Sequence, residues 1–170
     1  DQALTARILR MANSAFYAPK DTVRSVEQAV VLLGLSTINA ILVKSAIFDS
    51  YDAQKARPFW LHAIGTACCT KAVARLAKTG REDEAFVMGL LHDIGKLAME
   101  KEFPQEYALA RNLVSHRGGL IRDAEEQVFG CDHALVGQHL CTRWSLPHDF
   151  VEAIAFHHQP EKASDIGKRW

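Results

Sequence analysis

Six residues of this 170-residue chain, five histidines and one aspartate, form a candidate set of ligands for a divalent metal ion. His92 and Asp93 are adjacent, so they can supply one imidazole nitrogen and one carboxylate oxygen to a single ion. The other four are histidines on either side of this pair, namely His62, His133, His157 and His158. Such donors suit borderline and hard divalent ions alike, so the set predicts a metal site that admits Fe, Mn, Zn, Ni or Mg.

Each of these residues also has a simpler structural interpretation. A single buried histidine is more often bonded to a backbone carbonyl than to a metal, and Asp93 is of a residue type that caps a following helix. The residues alone therefore leave both interpretations open.

The elements that must position these side chains are predicted to be helices, because the hydrophobic spacing is helical along the chain. Two short helices are expected first, the second starting after Ser25 with Gln28 in a capping box and ending at Gly34. Another opens at Ser36. Further helices are predicted over about 59–78, 82–92, 94–103, 104–116, 120–129, 132–144 and 148–157. The expected fold class is all-α.

The polar segment 49–58 ends in Pro58 and predicts a junction within one domain of 170 residues. We expect a smaller N-terminal helical lobe over residues 1–57 and a helical body over 58–170.

The long helix after this junction should present His62 to the core. Its spacing places His62 on one face with four other residues, Phe59, Thr66, Cys69 and Val73. We therefore predict that this face is buried and that His62 needs a partner there, either a hydrogen bond or a metal.

Charge and composition argue against a nucleic-acid partner. The 20 basic and 20 acidic side chains balance, so no global field attracts a polyanion. The basic residues Arg7, Arg10, Lys20 and Arg24 fit the solvated sides of two short helices and have no aromatic stacking platform beside them.

The sequence also argues against a membrane protein or a secreted one. No apolar run is long enough to span a bilayer. The four cysteines form no Cys-x-x-Cys pair and are interpreted as buried free thiols of a cytoplasmic protein, at Cys68, Cys69, Cys131 and Cys141.

Several phrases resemble one known family. The sequence Gly-Leu-Leu-His-Asp-Ile-Gly-Lys at residues 89–96 resembles the HD superfamily of metal-dependent phosphohydrolases. The phrases at 10–17 and 29–34 resemble the N-terminal half of HDOD domains, which are HD-related output domains of bacterial signalling proteins. Later phrases at 59–62, 128–133 and 144–147 are similar to the same family, so the resemblance covers about residues 1–160.

The resemblance implies roles for individual residues. The metal ligands would be His62, His92, Asp93, His133, His157 and His158, converging on one pocket, and Lys96 would steady a phosphate if the domain is an active hydrolase. His116, His139 and His148 match no motif position and are interpreted as surface or capping residues.

The chain departs from the HD pattern in two places. HD sites usually close with an aspartate well beyond the histidine doublet, and Asp165 follows His158 too closely to match it. The doublet continues as Gln159-Pro160, whereas the cyclic-di-GMP phosphodiesterases of the HD-GYP group carry Glu and then Gly-Tyr-Pro. We therefore expect no cyclic-di-GMP hydrolysis.

Two functions remain open from the sequence. The favoured one is a bacterial regulatory output module that binds a signalling protein or a nucleotide second messenger, with or without a bound metal. The alternative is a metal-dependent phosphohydrolase acting on a nucleotide or phosphoester, in which the ion activates a water molecule. Family resemblance favours the first, and the completeness of the histidine set favours the second.

Overall fold

The computed structural model describes residues 8–14, 17–34, 37–38 and 53–164, with side chains described from residue 57 onward in the last range. Within these ranges the chain forms helices and no strand, which confirms the all-α class. Eight helices are α1 Val26–Leu33, α2 Ala53–Leu76, α3 Glu82–Leu91, α4 Ile94–Glu102, α5 Pro104–Arg117, α6 Ile121–Phe129, α7 His133–Arg143 and α8 His148–Ala155. Residues 8–12 are also helical, and a short 3-10 turn covers Pro160–Lys162.

Local signals explain how α1 starts and ends. The Ser25 hydroxyl accepts the backbone N–H of Gln28 at 3.2 Å, as the predicted capping box requires. The Gln28 side chain accepts the N–H of Arg24 at 2.9 Å, one residue before its usual target. Gly34 ends the helix with a φ of 79°. The helix predicted to open at Ser36 lies largely outside the described residues.

The long helix begins earlier than the sequence predicted. It starts at Ala53 rather than near Phe59, so Pro58 lies inside it. A proline removes the one hydrogen bond that its own N–H would donate, to the residue four positions earlier. Because Pro58 is in the second turn of the helix, the lost bond lies close to the N-terminus, and the helix continues beyond it. The division into lobes at residue 57 stays a prediction.

The predicted buried face of α2 was wrong. His62 is 57% exposed and Val73 is 62% exposed, whereas the buried residues of the helix are the small side chains Ala63, Ala67 and Ala74. Three large apolar side chains also pack against the core but are only partly buried, namely Phe59, Trp60 and Ile64.

Close contact with α3 explains the choice of small residues. A Cβ atom added to Gly89 would lie 2.9 Å from Cα of Ala67 and 2.4 Å from the hydroxyl of Thr70. That hydroxyl also donates to the Ala85 carbonyl of α3 at 2.8 Å. The two helices meet almost backbone to backbone, which only small residues permit.

A second close contact joins α4 to α7. A Cβ atom on Gly95 would lie 2.0 Å from the carbonyl oxygen of His133 and 2.9 Å from the backbone nitrogen of Gly137. Gly137 in turn packs against Ile154 of α8, which is fully buried. Three helices are therefore held together at one point.

The cysteines are free thiols, as predicted, but they are not all buried. Cys141 is buried, Cys68 and Cys131 are half-buried, and Cys69 is exposed on the solvent side of α2. Among the described helices, none combines the length and apolar character needed to cross a membrane.

Candidate metal centre

The structure brings the six predicted residues together, from four parts of the fold. His62 lies in α2, His92 and Asp93 join α3 to α4, His133 is the first residue of α7, and His157 and His158 follow α8. The cluster depends on the packing of five helices, α2, α3, α4, α7 and α8, including the glycine contact between α4 and α7.

The inner half of the cluster consists of Asp93 Oδ1 with His133, His157 and His158. Nε2 of His133 is 3.3 Å from Asp93 Oδ1, and Nε2 of His157 is 3.6 Å from it. His133 Nε2 is also 2.9 Å from His158 Nε2 and 3.4 Å from His157 Nε2. One donor atom from each of the four residues lies within 4.8 Å of all the others.

The outer half consists of Asp93 Oδ2 with His62 and His92. Asp93 Oδ2 lies 3.1 Å from Nε2 of His62 and 3.3 Å from Nε2 of His92. The two imidazole nitrogens are 3.2 Å apart. The two halves share Asp93, which presents one oxygen to each.

Backbone carbonyls fix the orientation of two rings. Nδ1 of His92 lies 2.8 Å from the Gly89 carbonyl, and Nδ1 of His157 lies 2.7 Å from the Ile154 carbonyl. A carbonyl oxygen only accepts, so each Nδ1 must carry the hydrogen. In the neutral ring Nε2 then holds a lone pair, and these lone pairs face Asp93.

This arrangement fits a cation. Lone pairs of imidazole and carboxylate repel one another unless a positive charge lies between them. Two nitrogens bound to one ion at about 2.1 Å are separated by about 3.0 Å at octahedral and about 3.4 Å at tetrahedral angles, close to the spacings of the inner half. Asp93 Oδ1 is buried and has no hydrogen-bond partner within the described ranges. A shared ion would satisfy it.

Asp93 is ionised despite being buried. Burial alone would raise the pKa of this carboxyl. Without an ion, hydrogen bonds donated by His157 and His92 and the positive charges of His92 and Lys96 outweigh burial and hold the pKa well below its usual range, and an ion would take the place of the donated protons. Asp93 stands at the N-cap position of α4, yet its side chain makes no capping bond to the described helix. The helix-cap interpretation of this residue is therefore wrong.

His158 is the most exposed member of the inner half. Partial burial and the neighbouring His157, His133 and Lys96 lower its pKa to about 4, against a smaller opposing effect of Asp93. The ring is therefore neutral at physiological pH, which is the form that binds a metal.

Glu125 is a site residue that the sequence did not reveal. It is fully buried on α6, and its Oε2 accepts the backbone N–H of His133 at 2.9 Å and lies 2.5 Å from Nδ1 of the same residue. This contact directs Nε2 of His133 toward Asp93, as carboxylates behind metal-bound histidines commonly do. Its neighbour Glu126 is exposed, so in sequence the pair resembles a solvated helix face.

Lys96 lies beside the cluster rather than apart from it. Its ammonium donates to Asp93 Oδ2 at 2.8 Å, and its side chain is 16% exposed. Asp165, which follows the histidine doublet too closely to match the closing aspartate of HD sites, lies outside the described residues. The histidines assigned to the surface are exposed as expected, at His116, His139 and His148.

Solved structures with the same fold are similar to this chain over almost its whole length. An HDOD domain protein of unknown function from Geobacter sulfurreducens is 29% identical with a TM-score of 0.80, and the match covers 96% of this chain and 56% of that one. A candidate phosphohydrolase from Shewanella amazonensis SB2B is 27% identical with a TM-score of 0.76, covering 99% and 62%. A candidate signal transduction protein from Marinobacter aquaeolei VT8 is 24% identical with a TM-score of 0.78, covering 99% and 40%.

These relatives are longer than this chain, which spans between 40% and 62% of their lengths. It also spans 31% of an uncharacterized protein from Treponema pallidum, with 26% identity over 170 residues. A family model of the HDOD domain matches residues 1–160. The chain therefore belongs to the HDOD domain family.

Proposed function

We propose that this chain is a regulatory output domain that holds a divalent metal ion in the inner half of its cluster and binds a phosphate-containing signal there. The observation that carries the proposal is the convergence of the Nε2 atoms of His133 and His157 on Asp93 Oδ1, which is buried and has no hydrogen-bond partner among the described residues. The regulatory role is supported by membership of the HDOD family, whose members act as output domains of signalling proteins.

Each residue of the site has its own role in holding an ion. Asp93 supplies negative charge, and His133, His157 and His158 supply neutral nitrogen donors. Glu125 holds the ring of His133 in place. When bound, a divalent ion would supply a Lewis acid for a phosphate oxygen. Three nitrogens with one carboxylate favour Fe, Zn, Ni or Mn over Mg, which prefers oxygen ligands.

The second candidate function is metal-dependent hydrolysis of a phosphoester. The position of Lys96 favours it, because an ammonium beside the cluster can stabilise negative charge on a phosphate. The missing Glu and Gly-Tyr-Pro phrase still argue against cyclic-di-GMP as the substrate.

Elemental analysis of protein purified without added metal tests the metal centre. We expect at least one equivalent of a transition metal in the wild type, and its loss in His157→Ala and His158→Ala. His148→Ala is the matched control, because this exposed histidine lies at the start of α8, away from the cluster, and should keep its metal. Wild-type protein that binds no transition metal even when one is supplied would contradict the proposal.

A panel of phosphate compounds separates the two functions. We expect the metal-loaded protein to bind nucleotides or cyclic dinucleotides in calorimetry without converting them. Metal-dependent release of a product from any member of the panel would favour the hydrolase instead, and His158→Ala should abolish that release.

A further inference from the structure

Lys96 contacts the Asp93 oxygen that belongs to the outer half of the cluster. Its ammonium lies 2.8 Å from Asp93 Oδ2, the oxygen that also faces His62 at 3.1 Å and His92 at 3.3 Å. Asp93 Oδ1 has no such cationic partner and faces only imidazoles. The two oxygens of one carboxylate are therefore in different electrostatic environments.

We infer that the Lys96 ammonium takes the place of a second metal ion, so that the centre binds one ion tightly in the inner half and a second only weakly in the outer half. The inference rests on the proposed metal centre and adds the number of ions and the residue that sets it.

Charge repulsion is the physical reason. An ion bound to Asp93 Oδ2 at about 2.1 Å would lie within about 5 Å of an ammonium bound to the same oxygen, and both are positive. Lys96 is mostly buried, so water screens this repulsion poorly. The lysine would have to leave Asp93 before a second ion could bind well.

The donors of the outer half are also fewer, and neither of its imidazoles is fully buried. They are two imidazoles and one oxygen, and His62 is 57% exposed, whereas the inner half offers three imidazoles with His133 fully buried. The smaller number of donors and the charge of Lys96 therefore both weaken the binding of an ion in the outer half.

A bound anion would make it easier for the outer half to bind an ion. A phosphate group near the outer half would attract the Lys96 ammonium away from Asp93 Oδ2 and free that oxygen for an ion. Phosphate and the second ion should then strengthen each other's binding, and the coupling must be reciprocal.

Titration of metal-free protein with Co²⁺, followed by calorimetry and visible absorption, tests the inference. We expect one tight ion and a second that binds at least about tenfold more weakly in the wild type. Lys96→Met should tighten the second ion by about tenfold while leaving the first within about threefold. Lys101→Met is the matched control, because that lysine lies on the same helix and its nearest carboxylate contact is Glu102 at 3.9 Å.

Further measurements separate an effect of the Lys96 charge from a loss of the fold. Lys96→Arg keeps the charge and should behave as the wild type, and circular dichroism identifies any variant that fails to fold. Inorganic phosphate should tighten the second ion in the wild type but not in Lys96→Met. Absence of a tight first ion would contradict the metal centre itself. A tight first ion with a second unaffected by Lys96→Met, or two equally tight ions in the wild type, would overturn this inference alone.

Discussion

Gly95→Ala should damage both the fold and the candidate metal centre, although alanine is the better helix former. The added Cβ would lie 2.0 Å from the carbonyl oxygen of His133, whereas carbon and carbonyl oxygen rarely approach closer than about 3.3 Å. The α4 and α7 backbones must therefore separate by about 1.3 Å. His133 is the first residue of α7, so this movement displaces its Nε2 from Asp93.

The magnitude follows from two opposing effects. Replacing glycine within a helix stabilises by about 0.5–1 kcal/mol, while overpacking a tight contact destabilises by about 1–3 kcal/mol or more. Backbone atoms cannot change rotamer to relieve the clash, so the upper part of the second range applies. We expect a net loss of about 2 kcal/mol, which a domain of this size survives.

Gly65→Ala is the matched control. This glycine lies inside α2, and a Cβ there would meet nothing within 4 Å in the described part of the chain. It should stabilise the protein by about 0.5–1 kcal/mol through helix propensity alone. Urea unfolding followed by circular dichroism measures both variants, and Co²⁺ affinity should fall about 10- to 100-fold in Gly95→Ala only. If the two variants show equal midpoints and equal affinities, the contact does not position His133.

Three further predictions concern the cluster and its surroundings. Glu125→Gln should lower Co²⁺ affinity about 10- to 100-fold in calorimetry, because the amide lacks the charge that supports His133; an unchanged affinity would limit Glu125 to a packing role. Replacing His92 and Asp93 together by alanine should reduce bound metal in elemental analysis while the far-ultraviolet circular dichroism stays helical, and loss of that spectrum would show that the pair is needed for folding. Burial raises the pKa of Cys141 to about 12, so alkylation of native protein at pH 9, mapped by mass spectrometry, should modify the exposed Cys69 and spare Cys141; equal labelling of both would contradict the described packing.

Helix ends were predictable because the signals that set them are local. The predicted helices after α2 agree with the structure to within two residues at each end. Gly118 and Gly130 follow α5 and α6 with φ of 72° and 74°, a backbone conformation that glycine adopts readily. Pro104 begins α5, where a missing N–H is tolerated.

The buried face of α2 was not predictable in the same way. Periodicity counts large apolar residues, but the contact with α3 requires small ones such as Ala67. Glu125 was missed for a related reason. A glutamate on a helix is normally solvated, and only the position of His133 in three dimensions shows that this one has a buried partner.

The sequence separation of the ligands gives the cluster one further property. Asp93 and His133 are 40 residues apart (133 minus 93), and His133 and His158 are 25 residues apart, so an ion in the inner half closes two long loops at once. In this respect it resembles a set of cross-links, which restrict the unfolded chain more than the folded one. The cluster also cannot exist until α2, α4, α7 and the end of α8 have all docked. All ligands of the ion can therefore come together only late in folding. Release of His157 and His158 alone would open the loop that runs from His133 to His158 without unfolding the other helices.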